Sequence, residues 1–122
     1  MAKSVFPGEL TLLHNPRCSK CRGAKTLLEA RDIEFQERLY LDDPLTRDEL
    51  QELARRLGRP ARDWVRRGEA AYQEAKLDAD TGDDAILEAM AGSPILIERP
   101  ILIAKDRAIV GRPPELVLEL VG

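Results

Sequence analysis

The hydrophobic positions in the first third of the chain predict a strand, a helix and a second strand. Residues 10–13 form a short apolar run of the kind found in buried strands. After a polar loop, apolar residues recur at helical spacing and predict a helix over about 19–31. Residues 33–41 alternate in part between apolar and polar side chains, which indicates a strand that ends before the Asp-Asp-Pro sequence at 42–44.

The middle of the chain carries helical patterns alone. Thr46 and Glu49 form a T-x-x-E capping box, and the apolar residues that follow lie on one helical face. Pro60 suits the first turn of a further helix, which is expected to turn Trp64 inward. Two shorter helices are expected at about 69–76 and 83–90. The tract from about 45 to 92 is therefore predicted to be a helical insertion.

The last third of the chain is rich in Ile and Leu and returns to strands. Residues 101–104 predict a strand, and residues 108–110 predict its hairpin partner. The prolines at 113–114 suit the first turn of a final helix. The full order is β-α-β, several helices, then β-β-α. This order predicts a single α/β domain over residues 1–122, with one mixed sheet covered by helices.

Composition and charge narrow the function classes. With a net charge of -3 in 122 residues, the chain lacks the basic surplus of most nucleic-acid-binding proteins. No run approaches the ~18 apolar residues of a membrane span, and the N-terminal segment holds no apolar stretch of signal-peptide length. We therefore expect a cytoplasmic protein whose partners include neither nucleic acid nor a membrane. We also expect a monomer, because the sequence shows no long exposed apolar stripe.

Positive charge is concentrated in two segments. Residues 17–31 hold five basic residues against Glu29, and residues 53–67 hold six arginines against Asp63. Charges of this kind are most often solvated helix faces. The alternative is a local positive field around a site for a small anion.

The sequence Cys18-Ser19-Lys20-Cys21 is a CxxC motif that follows a predicted strand and begins a predicted helix. The free N–H groups and partial positive charge of a helix N-terminus stabilise a thiolate, so Cys18 is the expected nucleophile and Cys21 the more shielded thiol. The alternatives are two buried apolar cysteines and a metal site. A structural zinc site usually needs about four Cys or His ligands. Because the chain has two cysteines and one histidine, no metal is expected.

Pro100 stands just before a predicted strand late in the chain. Proteins of thioredoxin-like fold place a cis-proline in such a position against the active cysteine, whereas an ordinary trans proline can also begin a strand. From this residue alone, both interpretations stay open.

Three segments carry a family resemblance: HNPRC at 14–18, TRDEL at 46–50 and IERPI at 97–101. In this order and spacing they resemble the glutaredoxin-linked arsenate reductase family, ArsC, over nearly the whole chain from about residue 10. The resemblance implies a thioredoxin-like fold. The same superfamily includes Spx-like transcription regulators, which share the fold and often a CxxC motif.

The resemblance also implies a reaction and its residues. The cysteine of the family, here Cys18, attacks arsenate; glutathione then reduces the adduct and glutaredoxin removes the mixed disulfide, with no bound cofactor. His14 is implied to support the cysteine loop, and Asn15 of the same motif is assigned to substrate binding. Pro100 is implied to be structural near the site. The oxyanion-binding arginines of the family match Arg66, Arg99 and Arg112.

Cys21 is the point at which this chain departs from the reductases it resembles, which commonly lack a cysteine there. It could attack an adduct on Cys18 and close an intramolecular disulfide, with thioredoxin or glutaredoxin as the reductant. Two alternatives to an arsenate reductase stay open. One is an Spx-like redox regulator that binds RNA polymerase, and the other is a general thiol-disulfide oxidoreductase.

Overall fold

A four-stranded mixed sheet organises the computed structural model, which describes residues 10–121. Its strands, in the order β2-β1-β3-β4, are β1 (Thr11–Leu13), β2 (Gln36–Arg38), β3 (Ile101–Ile103) and β4 (Ala108–Val110). β1 runs parallel to β2 and antiparallel to β3, and β4 is antiparallel to β3. The predicted mixed sheet is confirmed. The segment considered above for a signal peptide falls on residues 1–9, outside the described residues.

Five α-helices accompany the sheet within the described residues. They are α1 (Ser19–Ala30), α2 (Arg47–Leu57), α3 (Ala70–Glu74), α4 (Asp83–Gly92) and α5 (Leu118–Val121). In the sequence, α2, α3 and α4 lie between β2 and β3, where the helical patterns predict them. No helix within residues 10–121 has the length and apolar character needed to cross a bilayer.

The alternation of side chains along β1 and β3 separates two layers of core. On one face of the sheet, Leu12 and Leu102 pack with buried residues of α1. On the other face, Leu13 and Ile101 belong to a larger cluster that includes Trp64 and the buried sides of α2 and α4. The sheet therefore lies between the helix that follows the cysteine loop and the helical insertion.

The strand register gathers several loops at one edge of the sheet. Leu13, the last residue of β1, lies opposite Arg38 at the end of β2 and Ile101 at the start of β3. Ile101 in turn pairs with Val110 at the end of β4. The segments that follow β1, β2 and β4 thus begin at this edge, and the segment that precedes β3 ends there. They include the CxxC motif and the segment from 97 to 100.

The capping box places α2 as the sequence predicts. The Thr46 hydroxyl accepts a hydrogen bond of 3.1 Å from the Glu49 backbone, and the Thr46 backbone donates one of 2.9 Å to the Glu49 carboxylate. Gly58, with φ of 66°, ends the helix in the left-handed conformation. Both ends of α2 are therefore set by local signals.

The prediction of an α-helix after Pro60 is wrong. The chain forms a single 3₁₀ turn, Ala61–Asp63, and then extends so that Val65 makes an isolated antiparallel bridge with Ile97. Trp64 is fully buried, as predicted. Pairing of the backbone with a distant segment has replaced helical hydrogen bonds within this one.

Two other predicted elements are shorter or different. The strand predicted over 33–41 pairs only as Gln36–Arg38, because its neighbour β1 is itself three residues long. The predicted final helix starts as a 3₁₀ turn, Pro114–Val117, before it continues as α5.

Gly111 and Pro100 make a close backbone contact beside the site. The Arg99–Pro100 peptide bond is cis, so Pro100 is the cis-proline and not the trans proline of the two interpretations considered from the sequence. The Arg112–Pro113 bond is also cis, and no sequence pattern predicts it. The Gly111 N–H donates to the Pro100 carbonyl at 2.7 Å. A Cβ atom on Gly111 would lie 2.8 Å from Val117 Cγ1 and 3.0 Å from Pro100 Cγ. Only glycine fits there without movement of its neighbours.

Gly111→Ala is expected to lower the free energy of unfolding by about 1–3 kcal/mol, the usual cost of overpacking a core. Gly92→Ala is the control, because no atom lies within 4 Å of its added Cβ and alanine favours the helix. Urea unfolding followed by circular dichroism measures both. Equal stability of the two variants would contradict the close contact at Gly111.

Candidate active site

Cys18 is the N-cap residue of α1 and follows the loop that leaves β1. Its backbone N–H donates to the Asn15 carbonyl at 2.9 Å, and the Asn15 side-chain oxygen accepts from the Arg17 backbone at 3.0 Å. Asn15 is buried and its side chain therefore orders the loop. Cys18 is partly exposed, whereas Cys21 is buried.

The surroundings of Cys18 favour its thiolate. Partial burial raises the pKa, but hydrogen bonds from the Cys21 backbone, the Arg99 side chain, the Cys21 thiol and the Lys20 backbone together lower it to about 7. Cys18 therefore forms its thiolate at a lower pH than an ordinary cysteine does. The backbone donors belong to the first turn of α1, as a helix N-terminus predicts.

Cys21 has the opposite character. It is fully buried, and burial raises its pKa to about 12, although a hydrogen bond from the Asn15 backbone lowers it. The negative charge of Cys18 raises the pKa of Cys21 further. The two thiols are free and close enough to hydrogen-bond. One sulfur is thus prepared to react first, and the other is held protonated beside it.

Arg99 brings positive charge directly to the Cys18 sulfur. Its guanidinium group interacts with Cys18 and with the buried Tyr40 hydroxyl, and these contacts outweigh burial and raise the pKa of Arg99. Its Nε and Nη1 atoms are buried and have no hydrogen-bond acceptor of good geometry within residues 10–121. Buried donors are almost always paired, so these two N–H groups beside the nucleophile are available to an anion.

Glu98 joins the other two predicted arginines. Its Oε1 atom lies 2.9 Å from Arg66 Nη1 and 2.9 Å from Arg112 Nε. Arg112 Nε also donates to the Arg99 carbonyl at 2.8 Å, and Arg66 makes a second ion pair of 3.1 Å with Glu69. The three arginines therefore form one cluster. Of the three, Arg99 is the one with a described interaction at Cys18.

Tyr40 lies within the same cluster. It is fully buried, and burial raises the pKa of its hydroxyl to about 12, while the charges of Arg99 and Arg66 lower it. The hydroxyl has no hydrogen-bond partner of good geometry among the described residues. Tyr40 thus adds a hydroxyl group that interacts with Arg99 and experiences the charge of Arg66.

The described contacts of His14 are with residues of β2 and α1. Its Nε2 atom lies 3.7 Å from Glu37 Oε1, and its described electrostatic contacts are with Glu37, Lys25 and Arg22. Burial lowers the pKa of this histidine more than Glu37 raises it, so the imidazole is neutral at pH 7. Its role in support of the cysteine loop stays a prediction.

Sequence reasoning missed three residues of this cluster, Glu98, Glu69 and Tyr40. Glu98 directly precedes Arg99 in the IERPI segment, and that adjacency was the available signal. Tyr40 was counted only as one of the apolar positions of the strand predicted over 33–41, so its hydroxyl group was not considered. No group of three or more His, Cys, Asp or Glu residues that could hold a metal ion occurs in the described part of the chain.

The reactivity of Cys18 is expected to rise with pH through a midpoint of about 7, because the thiolate is the reactive form. In Arg99→Ala, the midpoint is expected to rise by about one pH unit or more, since a charge that favours the thiolate is removed. Rates of iodoacetamide labelling across pH, with the adduct located by mass spectrometry, measure both.

Arg107→Ala provides the matched control for this measurement. Arg107 is exposed in the turn between β3 and β4 and bonds the Leu120 carbonyl at 3.5 Å. Its loss should leave the midpoint of Cys18 unchanged. An unchanged midpoint in Arg99→Ala would mean that the guanidinium group does not stabilise the thiolate.

The chain is similar to known proteins over most of its length. The chain is 45% identical over 109 residues to an arsenate reductase of Neisseria meningitidis, which covers 88% of this chain and 93% of that protein. It is 41% identical over 116 residues to the uncharacterized protein YfgD of Escherichia coli, with 93% and 98% covered. A solved arsenate reductase from Vibrio cholerae aligns with a TM-score of 0.85 at 43% identity, over 90% of this chain and 95% of that one.

The family assignment rests on nearly the whole chain. The family model described as the ArsC family matches residues 13–120. That range contains the CxxC motif, the helical insertion and all three predicted arginines. The thioredoxin-like fold class predicted from the resemblance is confirmed by the structural likeness, and the chain belongs to the ArsC family.

Proposed function

We propose that this protein is an arsenate reductase that uses Cys18 as its nucleophile. The observation that carries the proposal is the Cys18 thiolate, with a pKa of about 7, beside the unpaired buried donors of Arg99. Relatives called arsenate reductases, 45% identical in one case, support the substrate class. A tetrahedral oxyanion accepts hydrogen bonds from guanidinium groups in forked geometry, which suits Arg99.

In the first step, the Cys18 thiolate attacks arsenic. A sulfur–arsenic bond forms, one arsenic–oxygen bond breaks, and the departing oxygen takes up protons and leaves as water. Arsenic stays pentavalent in this step. Arg99, together with Arg66 and Arg112, neutralises negative charge on the oxygens as the new bond forms.

In the second step, a thiolate attacks the Cys18 sulfur. The electron pair of the sulfur–arsenic bond passes to arsenic, which leaves as trivalent arsenite, and a disulfide remains on Cys18. We assign glutathione as the external thiol and glutaredoxin as the protein that restores Cys18. A surface cavity of about 550 Å³ beside the cysteine loop, lined in part by Arg17 and by the exposed Leu39 and Leu41, gives a reductant access to this loop.

Cys21 offers an internal alternative for the second step. The charge of the Cys18 thiolate contributes to the raised pKa of Cys21. The Cys18 sulfur is itself uncharged once it is bonded to arsenic, so this contribution is removed, while burial, the main cause of the raised pKa of Cys21, remains. Cys21 then closes a disulfide with Cys18, and thioredoxin or glutaredoxin reduces it.

The paired thiols also favour a second candidate function, a general thiol-disulfide oxidoreductase. Such an enzyme needs a reactive thiolate and a resolving thiol, which Cys18 and Cys21 supply. It does not need buried guanidinium donors without acceptors. The state of Arg99 therefore favours an enzyme that acts on a small oxyanion.

Oxidation of NADPH, coupled through glutathione, glutaredoxin and glutathione reductase, is expected to depend on arsenate and to vanish in Cys18→Ser. Arg66→Ala is expected to raise KM for arsenate about tenfold or more, the cost of one charged hydrogen bond. Arg67→Ala is the matched control, because the neighbouring Arg67 is exposed and bonds only the Arg62 carbonyl among described residues. Absence of arsenate-dependent turnover with every thiol system would refute the proposed function.

A disulfide between residues 18 and 21 is expected after single turnover with arsenate and no external thiol. Peptide mapping by mass spectrometry detects it directly. In Cys21→Ser, turnover supported by thioredoxin is expected to be lost, while turnover supported by glutathione and glutaredoxin remains. If the two cysteines never link, Cys21 has no resolving role.

A further inference from the structure

Glu98 is a carboxylate inside a cluster of guanidinium groups. Its Oε1 atom lies 2.9 Å from Arg66 Nη1 and 2.9 Å from Arg112 Nε, and it accepts a hydrogen bond of 3.2 Å from the Arg99 backbone. The guanidinium groups of Arg66 and Arg112 thus meet at one carboxylate oxygen, and the backbone of Arg99 meets them there. An oxyanion held by the side chain of Arg66 or Arg112 therefore lies close to this carboxylate.

The second oxygen of Glu98 is free to take part in binding. Within residues 10–121, its Oε2 atom accepts no hydrogen bond, and the side chain is 25% exposed. An ionised carboxylate oxygen accepts hydrogen bonds but donates none. The site therefore combines guanidinium donors with one anionic acceptor.

An anionic acceptor binds a protonated oxyanion more tightly than a fully deprotonated one. An oxyanion with an O–H group donates that hydrogen to the carboxylate while its other oxygens accept from the arginines. A fully deprotonated oxyanion instead places a bare, negatively charged oxygen against the carboxylate, and the two repel each other. Arsenate and phosphate keep at least one proton at neutral pH, whereas sulfate keeps none.

We propose that Glu98 is a specificity-determining residue that makes the site select protonated oxyanions, such as arsenate and phosphate, over sulfate. The proposal rests on the proposed function, since it requires that Arg66, Arg99 and Arg112 bind an oxyanion. It adds the side chain that distinguishes one tetrahedral oxyanion from another. The guanidinium groups supply attraction for any of these anions, and Glu98 supplies the discrimination.

Protection of Cys18 against iodoacetamide tests this role without turnover. Arsenate, phosphate and sulfate are titrated separately in the absence of reductant, and the concentration that halves the labelling rate is compared. In the wild-type protein, arsenate and phosphate are expected to protect at concentrations about tenfold or more below that of sulfate. Glu98→Gln removes the negative charge at nearly constant size, so this ratio is expected to fall about tenfold, chiefly through tighter binding of sulfate.

Glu69→Gln is the matched control. It removes the other carboxylate that contacts Arg66, at 3.1 Å, and leaves Glu98 in place. Its ratio of arsenate to sulfate protection is expected to equal that of the wild-type protein. Near-UV circular dichroism verifies the fold of both variants, and the preference of the wild-type protein tests the proposal even if Glu98→Gln does not fold.

Several results would overturn the role of Glu98. The first is that phosphate and sulfate protect the wild-type protein equally well. The second is that the ratio of arsenate to sulfate protection is unchanged in folded Glu98→Gln. The third is that all three anions bind this variant more weakly by the same factor. The last result would assign Glu98 to holding the arginines in place. If no anion protects wild-type Cys18, the oxyanion site itself is refuted together with the proposed function, whereas protection by arsenate without preference over sulfate refutes Glu98 alone.

Discussion

A sulfur atom held between the first turn of a helix and a guanidinium group is the interaction on which the rest of the site depends. Burial alone raises the pKa of Cys18, and it is overcome by backbone donors of α1 and by Arg99. The backbone donors come from the same chain segment as the sulfur. Arg99 comes from a segment some eighty residues later, so the thiolate requires the finished sheet.

The register of the sheet brings the Cys18 loop and the Arg99 segment together. β1 lies between β2 and β3, and the ends of these strands are aligned. The loop that carries Cys18 and the segment that carries Arg99 therefore meet at one edge, with Arg112 following the neighbouring strand. The close contact of Gly111 with Pro100 fixes the spacing between the last two segments.

Local signals predicted much of this arrangement, and long-range contacts account for the rest. The capping box at Thr46 and the CxxC motif at a helix N-terminus act within a few residues, so the sequence reveals them. The helix expected after Pro60 fails because Val65 pairs with a distant strand-like segment, which local periodicity does not report. The contacts of Glu98 with Arg66 and of His14 with Glu37 were likewise not predicted, since each joins residues that are separated in sequence.

The bridge between Val65 and Ile97 links the helical insertion to the reacting end of the sheet. Arg66 follows directly on one side of that bridge, and Glu98 follows directly on the other. A shift in how the insertion packs therefore reaches the Arg66–Glu98 ion pair through this bridge. Because Arg99 follows Glu98 directly in the sequence and contacts Cys18, one short segment of chain couples the packing of the insertion to both the oxyanion-binding arginines and the nucleophile.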